Sequence, residues 1–288
     1  MESRMMFIHA LSPVHVGTGQ SVDVIDLPIA REKTTNWPCI PGSSLKGVLR
    51  DICSTSGDNE KLKKAFGPDT GDASESAGQV LFCDAKILCL PVRSFKGTFA
   101  WVTCPSVLRR VARDCKAAEL GDFPTLSNAI QESNGLVCAS SLLPQGDKIY
   151  LEDLDINVTE DNNATNVARK IAKMVFDENW KEEFVSRFAI ISDDMFSFLC
   201  DNATEIVARI KIQDDTKTVQ TGGLWYEESV PSESIFWCPL LCEPLNGNSA
   251  VELFDFVSGE IKKNPVIQLG GSASVGRGLV RIVIREGV

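Results

Sequence analysis

The apolar periodicity of the chain changes in a fixed order, and that order limits the fold more than any single motif does. MMFIHAL (5–11) reads as a strand. PGSSLKGVLRDIC (41–53) carries Leu45, Val48, Leu49 and Ile52 at the spacing of one helix face, with Ser43 placed to cap it. Two strand-like runs follow, QVLFCDAKILCLP (79–91) and GTFAWVTC (97–104). A helix at 105–116 then opens on proline and sets Val107, Leu108, Val111 and Cys115 on one side. Further helices are expected at 165–184, 193–202 and 251–261, and 266–286 reads as strand, Gly-rich turn, strand. Strand, helix, strand, strand, helix, strand with insertions is the order of a split βαβ, or ferredoxin-like, sheet, so an α+β fold is expected. No repeat at a fixed period is found, and residues 1–288 are expected to form one elaborated domain.

Two stretches stand outside that order. Residues 54–78 are polar and rich in Gly and Ser around one short helical piece, and read as a mobile insertion. EIVARIKIQ (205–213) alternates apolar and polar residues, DDTK turns, and TVQTGGLWYEESVP returns, which makes a hairpin within 203–240. Trp225 and Tyr226 lie near its tip or return. There they either stack on nucleic-acid bases or join the core, the ordinary fate of strand aromatics.

A net charge of -10 argues against indiscriminate nucleic-acid binding, but the charges are unevenly spread. Residues 85–113 hold Lys86, Arg93, Lys96, Arg109, Arg110 and Arg113, and residues 261–285 hold Lys262, Lys263, Arg277, Arg281 and Arg285. Each is read as a face that meets an anion or as solvated surface. Lys46 and Arg50 lie four apart on a second face of the first helix, and Gly47 between them suggests that something passes close to that helix. The ten cysteines sit mostly in apolar runs, where a thiol behaves as a small hydrophobe, and there is no Cys-x-x-Cys pair. With no membrane-length apolar run and no secretory pattern at the N-terminus, a cytoplasmic location is expected.

Two loops could carry chemistry. SPVHVGTGQSVDVIDLPIARE (12–32) brings His15, Asp23 and Asp26 into irregular chain, where the carboxylates are either turn formers or reagents near a phosphodiester. GGSASVGRG presents Gly270, Gly271, Gly276, Arg277 and Gly278. The segment after it is a strand, so it is not the dinucleotide fingerprint, and it lacks the Gly-Lys-Ser/Thr of a P-loop. Clustered glycines beside an arginine let backbone N–H groups approach phosphate, and the plainer reading is a flexible hairpin.

Several of these segments together resemble one family. PCIPGSSLKGVLRD is similar to the helix motif of the RAMP superfamily, the RNA-binding proteins of CRISPR systems, and LGGSASVGRGLVRI is similar to their C-terminal Gly-rich loop. HVGTGQSVDVIDLPIARE, AGQVLFCDAKILCLPVRSFKGTFAWVTCPSVLRR and GGLWYEESVP narrow the resemblance to the target-cutting backbone subunits of type III-B (Cmr) effector complexes. The resemblance implies a ferredoxin-like (RRM-like) palm, a lid at 54–78 and a hairpin thumb. It implies several copies stacked along a guide RNA beside other Cmr subunits, and cleavage of paired single-stranded target RNA in a reaction dependent on a divalent metal, Mg or Mn. Asp26 is the implied catalytic aspartate, as base or metal ligand, with His15 and Glu227 assisting; neighbouring Glu228 competes with Glu227 for that assignment. Lys46, Arg50, Gly270, Gly271, Gly276, Arg277 and Gly278 would hold guide phosphates, and Trp225 and Tyr226 of the thumb would touch bases. The alternative function is a non-catalytic RAMP scaffold that binds guide RNA only.

Overall fold

The computed structural model describes residues 2–20, 24–68, 77–126, 129–245 and 249–286; Asp23 and residues 69–76 of the expected lid lie outside them. The first strand, β1 (Glu2–Ala10), leads through the opening loop to the short β2 (Cys39–Ile40) and to α1 (Gly42–Ser54) and α2 (Asn59–Phe66). Then come β3 (Val80–Phe82), β4 (Ala85–Arg93), β5 (Phe99–Thr103) and α3 (Pro105–Ala117). The middle of the chain forms β6 (Asn134–Val137), β7 (Lys148–Leu151), β8 (Leu154–Glu160), α4 (Asn162–Val175), α5 (Glu178–Ser186), β9 (Phe188–Ile191) and α6 (Asp193–Asn202). The last part forms β10 (Glu205–Ile212), β11 (Val219–Ser229), β12 (Ile235–Cys242), α7 (Ala250–Lys263), β13 (Val266–Gln268) and β14 (Leu279–Arg285).

Twelve strands make one sheet in the order β13-β14-β1-β12-β4-β5-β9-β6-β8-β7, with β2 beside β4 and β3 beside β12. Only the β5–β9 and β6–β8 pairs are parallel. The architecture is thus mixed α/β, a large and mostly antiparallel sheet with seven helices among the described residues. β1 is buried at consecutive positions from Met5 to Ala10, the mark of a strand covered on both faces. Arg4 lies over the Phe254 ring of α7, while His9, on the alternate face, meets Phe176 at the end of α4. The apolar side chains of both layers join in one contiguous core.

Three departures from the sequence reading have physical causes. Ser43 does not cap α1: Pro41 holds the N-cap position and the Gly42 N–H is taken by the Asp84 carboxylate at 2.7 Å, a partner 42 residues away. The middle of the chain, which reads as irregular apart from KIYLED, supplies β6, paired with β9 and β8, and β8, paired with β6 and β7, and the β6–β9 register depends on long-range pairing. The hairpin ribbon ends at Ser229, and Ile235–Cys242 within the expected 203–240 excursion is a central strand between β1 and β4. The cysteines follow the expectation, with nine buried and Cys83 intermediate. No helix among the described residues is long and apolar enough to cross a membrane.

β10 and β11 form a two-stranded ribbon separate from the large sheet. One face of this ribbon carries Ile206, Ala208 and Ile210 opposite Glu228, Tyr226 and Leu224, and Ile206, Ile210, Leu224 and Tyr226 are all exposed. A two-stranded hairpin is marginal in water by itself. Here its root is anchored by the opening loop, and that anchoring builds the site.

Candidate functional site

β11 is the strand on which the site is assembled. One of its edges pairs with β10, and the other, at residues 226–230, takes up the opening loop. Leu27 N–H donates to the Tyr226 carbonyl and Glu228 N–H to the Leu27 carbonyl, both at 3.0 Å, and Val14 and Val230 exchange two bonds of 2.9 Å. These main-chain bonds bring together residues about 200 positions apart in the chain.

Asp26 precedes Leu27, and its Oδ2 accepts the Tyr226 N–H at 2.7 Å across 200 residues. Among the described residues the other carboxylate oxygen has no partner within the chain. The side chain lines a shallow cavity of about 370 Å³ together with Gln20, Leu27, Gly222, Leu224 and Trp225. His15 follows Val14, and its Nδ1 lies 2.6 Å from the Glu228 carbonyl oxygen. A carbonyl can only accept, so Nδ1 carries the proton and Nε2 of the neutral ring is left as an acceptor. That nitrogen stands over Gly17, where a side-chain Cβ would come within 2.6 Å of it.

Glu227 and Glu228 point to opposite faces of β11, because strand side chains alternate. Glu227 faces the Gly-rich turn: its Oε1 accepts the Ser272 hydroxyl at 3.1 Å and its Oε2 lies 3.3 Å from Arg209 Nε. Glu228 turns inward, accepting the Ile29 N–H at 3.0 Å, the Thr204 hydroxyl at 2.9 Å and Arg31 Nη2 at 2.5 Å. Alternation in the sequence places the two acids on different faces but does not say which face meets the turn. Ser272, Arg209 and Arg31 went unnoticed for the same reason: each is an ordinary surface residue type whose role is set by a partner far along the chain.

The Gly-rich turn serves the opening loop before anything else. Gly271 N–H donates to the His15 carbonyl at 2.9 Å and Gly278 N–H to the Pro13 carbonyl at 2.8 Å. Gly270 (φ +84°) and Gly278 (φ +80°) are left-handed, and a Cβ on either would overlap a backbone carbonyl oxygen, of His15 and Leu269 respectively. Gly276 (φ +78°) is left-handed in open space. Arg277 does not project from the turn. Its Nη1 donates to Ser229 Oγ at 3.0 Å and lies 3.5 Å from Glu205, at the root of the ribbon. Tyr226 is exposed on the apolar face, whereas Trp225 is half-buried on the other face, opposite Arg209.

On α1, Lys46 lines a cavity of about 490 Å³ with Phe66, Gly67 and Phe82, and has no ion-pair partner among the described residues. Arg50 Nη1 donates to the Gly67 carbonyl at 2.8 Å and so ties α1 to the middle of the expected 54–78 lid. No atom of the described residues would touch a Cβ at Gly47. The two basic segments are largely neutralised from elsewhere in the chain. Lys86 and Arg113 meet Asp114, Arg110 meets Glu32, Arg93 meets Glu152 and Arg109 meets Asp193. Arg281 meets Asp177 and Lys263 meets Glu260. Acids outside each segment, some far along the chain and some, like Asp114 and Glu260, just beyond its ends, therefore offset much of its positive charge.

Among the described residues no group of three His, Cys, Asp or Glu side chains gathers to hold an ion. Burial pushes the Cys39 thiol up to about 11 and those of Cys53 and Cys115 to about 12, so they stay protonated at neutral pH. The donors do not fit a closed metal site supplied by protein alone. They fit the mode in which Mg²⁺ or Mn²⁺ takes one or two carboxylates and completes its shell with water and substrate phosphates, and Asp26 would be the carboxylate.

The model of the RAMP superfamily matches residues 7–281 of the chain. The Cmr endoribonuclease Cmr4 of Pyrococcus furiosus is 39% identical over 289 residues, covering 99% of this chain and 97% of that protein. The CMR subunit Cmr4 of Saccharolobus solfataricus is 27% identical over 303 residues, covering 96% and 94%. Among solved structures, oligomeric Cmr4 from Pyrococcus furiosus superposes with a TM-score of 0.81 at 32% identity and full coverage of both chains. A chain of the type III-B Cmr-β complex bound to cognate target RNA superposes with a TM-score of 0.78 at 25% identity, covering 99% and 97%.

Proposed function

The chain belongs to the RAMP superfamily, and on that premise we propose that it is a guide-RNA-binding backbone subunit of a cytoplasmic type III-B CRISPR effector complex that cuts paired target RNA. It would act in several copies, beside the other Cmr subunits. The observation that carries the reading is the convergence of Asp26, His15 and Glu227 on one stretch of β11, each held by a different long-range bond. A scaffold that only held guide RNA would need the pairing of loop and strand but not this trio.

The palm is proposed to be ferredoxin-like. The order β14-β1-β12-β4, with α1 between β1 and β4 and α7 between β12 and β14, supports it. The β10–β11 ribbon is proposed as the thumb, its exposed Ile206, Ile210, Leu224 and Tyr226 resting against unstacked bases. Lys46 is the guide-phosphate contact best supported by its setting. Arg277, engaged at the ribbon root, would act by holding the thumb to the Gly-rich turn.

The proposed reaction is displacement at phosphorus by the neighbouring 2′-hydroxyl. The 2′-oxygen bonds to phosphorus as its proton leaves, the P–O5′ bond breaks, and the departing 5′-oxygen takes up a proton from solvent water. Asp26, fixed by the Tyr226 amide, would either take up that proton as the base or serve as ligand to a divalent ion. Glu227 is held in place by Ser272 and Arg209, and half-buried His15, with Nε2 as an acceptor, completes the set. A divalent ion held by Asp26 and the phosphate would supply charge neutralisation. Replacing Asp26 by alanine in the assembled complex is expected to abolish cleavage while leaving target binding intact. Undiminished cleavage would select the scaffold reading instead.

A further inference from the structure

The chain just after Asp26, at Leu27 and Ile29, and the ring of His15 are all held by one residue that takes no part in the proposed chemistry. We propose that Glu228, with Arg31 as its counter-charge, is the positioning residue of the RNA-cleaving site; the inference rests on the functional reading above.

Glu228 is 2% exposed. Its main-chain N–H holds Leu27, the residue after Asp26, and its carbonyl receives the His15 Nδ1 proton. Its carboxylate holds the same loop a second time, through the Ile29 N–H, and reaches the root of the thumb through the Thr204 hydroxyl. Arg31 extends the clasp: Nη2 meets Glu228, and Nη1 donates to the Asn36 carbonyl at 2.8 Å and the Cys200 carbonyl at 3.0 Å at the end of α6. The pair of buried Glu228 and half-buried Arg31 thus joins the catalytic loop, the thumb and a helix of the body, and the main chain of the same Glu228 holds the histidine.

Stability alone does not call for charges here. Buried ion pairs are often matched or bettered by apolar residues of similar volume. A carboxylate supplies what methionine or leucine cannot, directed acceptors that fix the Ile29 amide and the Arg31 fork. With bonds at Leu27 and Ile29, the backbone of Asp26 has little freedom to drift from the reacting ribose. The geometry also makes the thumb and the catalytic loop move as one piece at their junction.

The test uses complexes assembled on guide RNA with three forms of this subunit. In the double variant Glu228→Met with Arg31→Met both charges go and the volume stays, so the thermal midpoint and target-RNA affinity are expected to match wild type. The cleavage kcat is expected to fall by roughly 100-fold, the scale of a misplacement of about 1 Å. A purely structural pair would regain full kcat once stability is regained, and that result overturns the proposal. Should the double variant not fold, Glu228→Gln keeps the shape and one acceptor oxygen; a kcat lowered at unchanged affinity supports the clasp, and a wild-type kcat overturns it. Asp26→Ala is measured alongside. If it still cleaves, the functional reading falls; if it is inactive while the clasp variants are fully active, only the clasp falls.

Discussion

The bond between the Gly-rich turn and the opening loop can be broken by one methyl group. Gly270 has φ +84°, and a Cβ there would overlap the His15 carbonyl oxygen, the atom that also accepts the Gly271 N–H at 2.9 Å. Alanine at 270 carries two costs: about 1–2 kcal/mol for a left-handed residue with a side chain, and about 1–3 kcal/mol for forcing atoms into a packed contact. Gly276 has nearly the same φ, +78°, but nothing within reach of a Cβ. Gly276→Ala therefore carries the first cost alone. The expected losses are about 2–5 kcal/mol for Gly270→Ala and about 1–2 kcal/mol for Gly276→Ala, or roughly 4–15 °C and 2–6 °C in thermal midpoint. Because the methyl group at 270 pushes on His15, cleavage should fall further than stability explains, whereas Gly276→Ala should cleave normally at temperatures where it is folded. Urea unfolding of the subunit and single-turnover cleavage by the complex measure the two effects. Equal destabilisation by the two variants would refute the claim that Gly270 is glycine because it lies on His15.

Salt dependence separates the two cations that the sequence reading treats alike. Lys46→Ala should make the salt slope of guide-RNA binding shallower by about 0.7–0.9, one phosphate contact fewer, while Arg277→Ala should leave the slope unchanged and lower stability through the loss of Ser229 and Glu205. Burial raises the Asp114 carboxyl, but hydrogen bonds from Lys86, Arg113 and Trp237 outweigh it and hold the group below its ordinary value of 3.8. Its contribution is complete above that value and is lost as pH falls through the lower folded one. Asp114→Asn should cost about 3 kcal/mol at neutral pH by stranding Lys86, and should flatten the acid limb of a stability–pH curve. A curve that keeps its wild-type steepness would contradict this pairing.

The elements of the palm were legible because each advertises itself locally. The helix spacing of Leu45, Val48, Leu49 and Ile52 and the continuous apolar run of β1 both survive in the structure, at bounds shifted by a residue or a few. β6 and β8 were not legible. β6 is short, carries Asn and Gly, and is a strand because β9 offers it an edge, and β8 is placed between β6 and β7. The cap of α1 was missed for the same reason, since Asp84 does in space what Ser43 was expected to do in sequence.

The sequence by itself determined which residues could do chemistry: few His and Asp in irregular chain, an acidic pair in a strand, glycines before the last strand. It also carried the resemblance that named the family. Only the tertiary structure decided their parts. It turned Glu227 to the Gly-rich turn and Glu228 to Arg31, drew Arg277 inward to Glu205, and paired the basic segments with distant acids. The physical reason is that a side chain's type fixes what it can bond, while its partner is chosen by which backbone edges meet. Here that choice was made where Val14 and Leu27 docked on β11, some 200 residues away.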